Sequence, residues 1–155
     1  MKVYLAGPIL DCSDDECVTW RELAKERLGA ENCLDPMRRD YRTETVGGIG
    51  GVATRNIPEI IVLDKLDIRN STALMVNYSK HSDGTAMEVF YAHSLGIPIV
   101  LFTGKGFELD EDGAIIDTPW NINHWSPWMI HHATQTVDTF YDAIATLMQW
   151  HDEGV

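Results

Sequence analysis

Runs of consecutive apolar residues mark the buried strands of this chain. Residues 3–6 (Val-Tyr-Leu-Ala), 73–76 (Ala-Leu-Met-Val) and 97–102 (Ile-Pro-Ile-Val-Leu-Phe) are short and continuous, the pattern of strands covered on both faces. Residues 32–34 form a weaker candidate. Elsewhere the apolar positions recur every three to four residues, the helical period. A first helix is expected from Ser13, which completes a capping box with Glu16. It follows the stripe Cys17, Trp20, Leu23, Ala24, Leu28 and stops at Gly29. We assign it a structural role and no chemistry. A second helix is expected over 59–69, with Ile60, Ile61, Leu63 and Ile68 apolar and Val62 and Leu66 beside them. A third follows over 89–95, closed by Gly96. Its stripe of Glu88, Tyr91, Ala92 and Leu95 is apolar except at its head. Residues 103–118 are polar and acidic and read as an exposed loop. Residues 129–132 read as a last short strand, with His131 and His132 as ordinary strand residues. Residues 136–150 form a closing amphipathic helix with Phe140, Ile144, Leu147 and Met148 inward.

Strands alternating with helices imply a mostly parallel sheet of about five strands with right-handed crossovers. We expect one α/β domain over 1–155, Rossmann-like (flavodoxin-like), flanked by helices. Ligands in such sheets bind at the C-terminal strand ends. Residues 4–8 and 77–85 both lie there and can converge. Gly7-Pro8 breaks the first strand, and a glycine at that point lets a ligand approach the main chain. Tyr4 points away from Val3 and Leu5, either into core or with its hydroxyl toward the cleft. The strand–loop–helix stretch 77–88 organises the chain. Within it Glu88 either complements the helix dipole or stands at the floor of a cleft. Asp64 and Asp67 lie three apart on one side of the second helix. They are surface acids, or one of them looks into the site. Arg38, Arg39 and Arg42 stand out in an acidic chain. They belong to a solvated loop paired with Asp35 and Asp40, or to a rim that meets an anionic group. Residues 44–54 hold four glycines and suit a mobile lid. Residues 120–128 hold three tryptophans, enough aromatic area for a partner surface or a site wall.

Composition narrows the partners. The chain has 155 residues, 45% of them hydrophobic, and a formal net charge of −12. That charge opposes binding to nucleic acid, though a small nucleotide can be held by a few local donors. Cys12, Cys17 and Cys33 form no disulfide framework and no good zinc spacing, so we expect reduced cysteines and no metal. The N-terminal apolar run is too short for a signal peptide and no run spans a membrane. A cytoplasmic protein is expected.

Three motifs carry a resemblance: Tyr4-Leu5-Ala6-Gly7-Pro8, then Asp64-x-x-Asp67-Ile68-x-x-Ser71, then Ser82-Asp83-Gly84-Thr85-Ala86-Met87-Glu88. In this order they resemble the nucleoside 2-deoxyribosyltransferase family, whose superfamily includes nucleoside 5′-monophosphate N-glycosidases. The likeness covers residues 3 to about 102 and, more loosely, continues to 125. It implies that Glu88 is the nucleophile, that Tyr4 orients it, and that Asp64 handles the nucleobase and its proton. It implies that Ser82 contacts the sugar 5′ end, where typical transferases carry an aspartate and the phosphate-binding hydrolases a serine. Asn121 resembles an asparagine donated to a neighbouring subunit's site. Gly7, Gly84 and Thr85 would shape the sugar site, with Pro8, Asp83 and Arg39 as further substrate contacts. Thr72 departs from the family, which often has a second aspartate there. The implied activity is transfer of a 2-deoxyribosyl group between nucleobases through a glycosyl-enzyme, without a cofactor, in a homo-oligomer with sites at subunit interfaces. The alternatives are hydrolysis of a deoxynucleoside 5′-monophosphate and a non-catalytic nucleotide-binding module.

Overall fold

A computed structural model describes residues 1–9, 12–13, 15–39, 57–103, 107–109, 115–117 and 126–155, with Arg39, Ile57 and the segments 107–109 and 115–117 described by backbone alone. Five parallel strands form one sheet: β1 (Val3–Ala6), β2 (Cys33–Leu34), β3 (Ala73–Asn77), β4 (Ile99–Phe102) and the edge strand Gln135–Val137, in spatial order β2-β1-β3-β4-edge. The helices are α1 (Trp20–Leu28), α2 (Ile57–Arg69), α3 (Asp83–Ser94), α4 (Pro127–His132) and α5 (Phe140–Glu153). This is the expected flavodoxin-like α/β fold. Two further strands, β5 (Phe107–Leu109) and β6 (Ile115–Asp117), pair antiparallel apart from the main sheet, and the edge strand is therefore β7.

Alternation along the strands sorts side chains between two cores. On one face Val3, Leu5, Met75, Val100 and Phe102 pack with Trp20, Ala24 and Leu28 of α1 and Phe140, Ala143, Ile144 and Leu147 of α5. On the other, Tyr4, Ala6, Leu74, Val76, Ile99 and Leu101 meet Ile68 of α2, Val89 and Ala92 of α3 and Met129 of α4. Every residue of β1, β3 and β4 is buried, which is why these strands read as unbroken apolar runs.

Several sequence expectations change. Residues 129–132 are helix, not strand: Pro127 stands in the first turn of α4, where its fixed φ favours a helix. His131 and His132 are therefore helical, and His132 stacks on Trp128. The strand falls instead on Gln135–Val137, whose polar residues suit a half-exposed edge. The expected loop 103–118 contains β5 and β6, because Phe-Glu-Leu and Ile-Ile-Asp carry enough strand propensity to pair despite their acids. α3 runs Asp83–Ser94, which sets Glu88 a little over one turn into the helix as expected, but Leu95 of the expected apolar stripe is exposed beyond its end. On α2, Ile61, Val62 and Leu66 are exposed and, among its described apolar side chains, only Ile68 is fully buried. The capping box does form: Ser13 N donates to Glu16 Oε2 at 2.7 Å and Glu16 N to Ser13 Oγ at 3.3 Å. A π-helical turn, Asp15–Thr19, leads from it into α1.

Candidate functional site

β1 delivers Tyr4, and the crossover through α3 delivers Glu88, 84 residues later in sequence. The tyrosine is fully buried, and its hydroxyl donates to Glu88 Oε1 at 2.6 Å. Tyr4 is thus a core residue whose hydroxyl is committed to a carboxyl. α3 is set at this height by Ser82, whose Oγ accepts from Thr85 N at 3.3 Å as an N-cap.

The electrostatics follow from burial. Desolvation pushes the Glu88 carboxyl up to about 8; the Tyr4 hydrogen bond and the Arg21 charge oppose this, while the Asp64 charge adds to it. The Tyr4 phenol is held well above its usual range by burial and then by Glu88 and Asp64, so it stays a donor. α2 therefore brings Asp64 within electrostatic reach of both groups. Its neighbour Asp67 faces elsewhere: it is buried and takes a 2.5 Å ion pair from Arg38. Of the two acids, Asp64 is the one whose charge acts on Tyr4 and Glu88.

The remaining candidates divide. Gly7 adjoins the end of β3, but a Cβ there would lie 2.9 Å from the Trp20 ring and 3.2 Å from Asn77 Cβ. A side chain at this position would have to displace the Trp20 ring. Pro8 follows Gly7 and is buried. Gly84 is open, with only Ser82 Oγ within 4 Å of a built Cβ. Asp83 is exposed and lies 3.8 Å from His81 Nε2. Thr85 is buried, and its hydroxyl finds no partner among the described residues. Arg38 is not a free rim cation, since it binds Asp67 and the Asp35 carbonyl. Arg39 lies in the 3-10 turn Pro36–Arg39, its side chain outside the described atoms. Asn121, Arg42, the glycine-rich 44–54 and most of the tryptophan segment lie outside the described residues. Ser71 caps its own turn by donating to Ile68 O. Thr72 bonds the Lys2 backbone before β3 begins, at the N-terminal end of the strands, so its departure from the family pattern does not touch Glu88.

Two residues were missed. Asn77, at the end of β3, is buried; its Oδ1 accepts from Ser79 N while Nδ2 has no partner among the described residues. Arg21, on the helix read as purely structural, is completely buried and reaches the end of β1. The one signal in the sequence was its place beside Trp20, one helical turn after buried Cys17.

A carboxyl that ionises near neutrality, a phenol donor on it and a second carboxylate nearby can alternate between charged and protonated forms without a metal. Among the described residues no group of three or more His, Cys, Asp or Glu side chains is placed to hold one. No helix among them is long and apolar enough to cross a membrane.

No family model matches the chain, and no curated protein matches it in sequence. Solved structures match its fold. A conserved protein from Enterococcus faecalis V583 superposes with a TM-score of 0.65 at 16% identity, over 96% of this chain and 97% of that one. A 2-deoxyribosyltransferase from Bacillus psychrosaccharolyticus superposes with a TM-score of 0.60 at 17% identity, over 95% and 96%. At these identities the likeness is one of fold.

Proposed function

We propose that the protein transfers a 2-deoxyribosyl group between nucleobases, with Glu88 as nucleophile. The observation that carries this is the 2.6 Å Tyr4–Glu88 hydrogen bond between β1 and α3, with Asp64 within electrostatic reach of both groups. The fold shared with a 2-deoxyribosyltransferase supports it. In the first step the Glu88 carboxylate attacks C1′ and the C1′–N bond breaks. Its electron pair leaves with the base, which takes a proton from Asp64. In the second step a nitrogen of the incoming base attacks C1′, the ester to Glu88 breaks, and Asp64 recovers a proton. Two inversions give net retention. The carboxylate beneath C1′ also stabilises oxocarbenium character in each transition state. Tyr4 holds Glu88 in line, and Gly84 with Thr85 borders the sugar. Exposed Met87, Phe90 and Trp128 on α3 and α4 support association into a homo-oligomer with shared sites, to which Asn121 would contribute.

A second reading is hydrolysis of a deoxynucleoside 5′-monophosphate, in which water takes the second step. Ser82 at the α3 N-terminus favours it, because no acid occupies the capping position. The engagement of Arg38 with Asp67 removes one cation from its support.

The test follows thymidine or deoxyuridine plus adenine by chromatography, beside dUMP or dCMP alone, with wild type and Glu88→Ala. Deoxyadenosine formed by wild type and reduced about 10³-fold or more in the variant is the expected result. Base released only from the monophosphate moves the assignment to the hydrolase. Full turnover by Glu88→Ala overturns both.

A further inference from the structure

We propose that Arg21 is a positioning residue of this site: a buried guanidinium, anchored on the carbonyls that end β1, that serves as a fixed positive charge for the Tyr4–Glu88 pair. The inference rests on Glu88 being the reactive carboxylate.

The geometry argues against a purely structural salt bridge. Arg21 Nε donates to Leu5 O at 3.3 Å, Nη2 to Gly7 O at 2.9 Å and Nη1 to Cys17 O at 2.5 Å. These acceptors satisfy the fork but carry no net charge, so they fix the cation without neutralising it. Its anionic contact is Asp35, at 3.5 Å, and Asp35 already holds Lys25 Nζ at 2.6 Å. A cation was not required there on Asp35's account. Burying an arginine is costly, and an apolar residue of similar volume would pack against Trp20 at lower cost. The guanidinium instead lies 4.4 Å from the Trp20 ring centroid and under Gly7, where a Cβ would come within 3.4 Å of Nη2.

Position decides what the charge acts on. Leu5 and Gly7 flank the end of the strand that carries Tyr4. The charged and titratable groups facing Glu88 are Tyr4 from β1, Asp64 from α2 and Arg21 from α1. Asp64 and burial disfavour the Glu88 carboxylate; Arg21 and the Tyr4 hydroxyl favour it. The sign follows. Without Arg21 the carboxylate forms only at higher pH, and any step that needs it loses its acid side.

The test combines a ¹³C NMR titration of the Glu88 carboxyl, without substrate, and the pH profile of kcat/KM. Arg21→Met should move the Glu88 midpoint upward by about one pH unit, and the acid limb of kcat/KM with it. Arg21→Lys keeps the charge and should hold the midpoint within about 0.3 pH of wild type, while kcat falls about tenfold because an ammonium cannot span the same carbonyls. Should Arg21→Met fail to fold, the double variant Arg21→Met/Asp35→Asn removes both buried charges and should show the same rise. A Glu88 midpoint unmoved in Arg21→Met or in the double variant overturns the proposal. The NMR arm does not depend on turnover. A protein inactive on every nucleoside, yet with the raised midpoint, would fail the proposed activity and keep the role of Arg21.

Discussion

The two faces of the sheet are built to different ends. The face under α1 and α5 is filled by large rings: Phe102 meets Trp20 edge-on at 5.8 Å between centroids and Phe140 at 5.9 Å. The face under α2, α3 and α4 carries smaller side chains, and its one buried ring from β1, Tyr4, commits its hydroxyl to a carboxyl. One face converts apolar area into stability. The other accepts a desolvated acid, a cost, at the strand ends where ligands bind in such folds. Arg21 joins them, since it sits on a helix of the first face and acts on the carboxyl of the second.

The sharpest way to break this comparison is to cut one ring on each face. Phe102→Ala should cost about 3–5 kcal/mol of stability, from lost burial and a residual cavity, and leave kcat of the folded enzyme unchanged. Tyr4→Phe keeps the ring and removes the donor, so it should cost about 1 kcal/mol or less in stability and lower kcat/KM at least about tenfold. Chemical denaturation and steady-state kinetics on both variants read the two effects. If Phe102→Ala lowered kcat as much as Tyr4→Phe, the division between faces would be wrong.

A second test measures the cost of the desolvated acid directly. The Glu88 pKa stands at about 8 in the folded protein, against an ordinary value of 4.5. A carboxyl raised on folding is harmless while protonated in both states. It destabilises the fold as pH climbs above its unfolded value, and the penalty is complete above the folded one. Glu88→Gln, which cannot ionise, should therefore match wild type at pH 4 and exceed it at pH 8. A tenfold change in the ionisation equilibrium corresponds to about 1.4 kcal/mol. Because Glu88 is partly exposed, solvent screening brings the expected gain down to about 2 kcal/mol. Equal stability of the two proteins at pH 8 would show that the acid is not desolvated.

How much of this was legible in the sequence depended on what each residue does locally. β1 reads correctly to the residue because continuous burial leaves a continuous apolar run, ended by Gly7-Pro8. β7 does not, because an edge strand of Gln-Thr-Val looks like a turn, and the helix before it hides its period in six residues. Alternation put Tyr4 opposite Val3 and Leu5, but its partner lies 84 residues away, beyond the reach of any local pattern. The pairing entered through a resemblance, not through spacing. The two acids of α2 show the same limit. Their spacing says that they are neighbours, and only Arg38 in the fold says which one is engaged away from Glu88. Arg21 was passed over because an arginine on a helix is ordinarily solvated, and no sequence pattern announces that its fork will find three carbonyls.

The smallest effect sharpens the comparison most finely, because it asks whether a residue of the chemical face also contributes to the fold. Ser82 Oγ caps the helix that carries Glu88. Ser82→Ala removes that acceptor and should cost about 1 kcal/mol of stability. If capping is all it does, kcat/KM should change equally for nucleoside and for nucleoside 5′-monophosphate, and Ser82→Asp, also a good N-cap, should restore both stability and activity. If Ser82 meets the 5′ end of the substrate, the two variants separate. Asp would restore the helix but repel a phosphate, so nucleoside turnover would recover while monophosphate turnover fell further. The ratio of the two activities in Ser82→Asp, taken beside its melting temperature, divides the contribution of this side chain between the helix it starts and the substrate it faces.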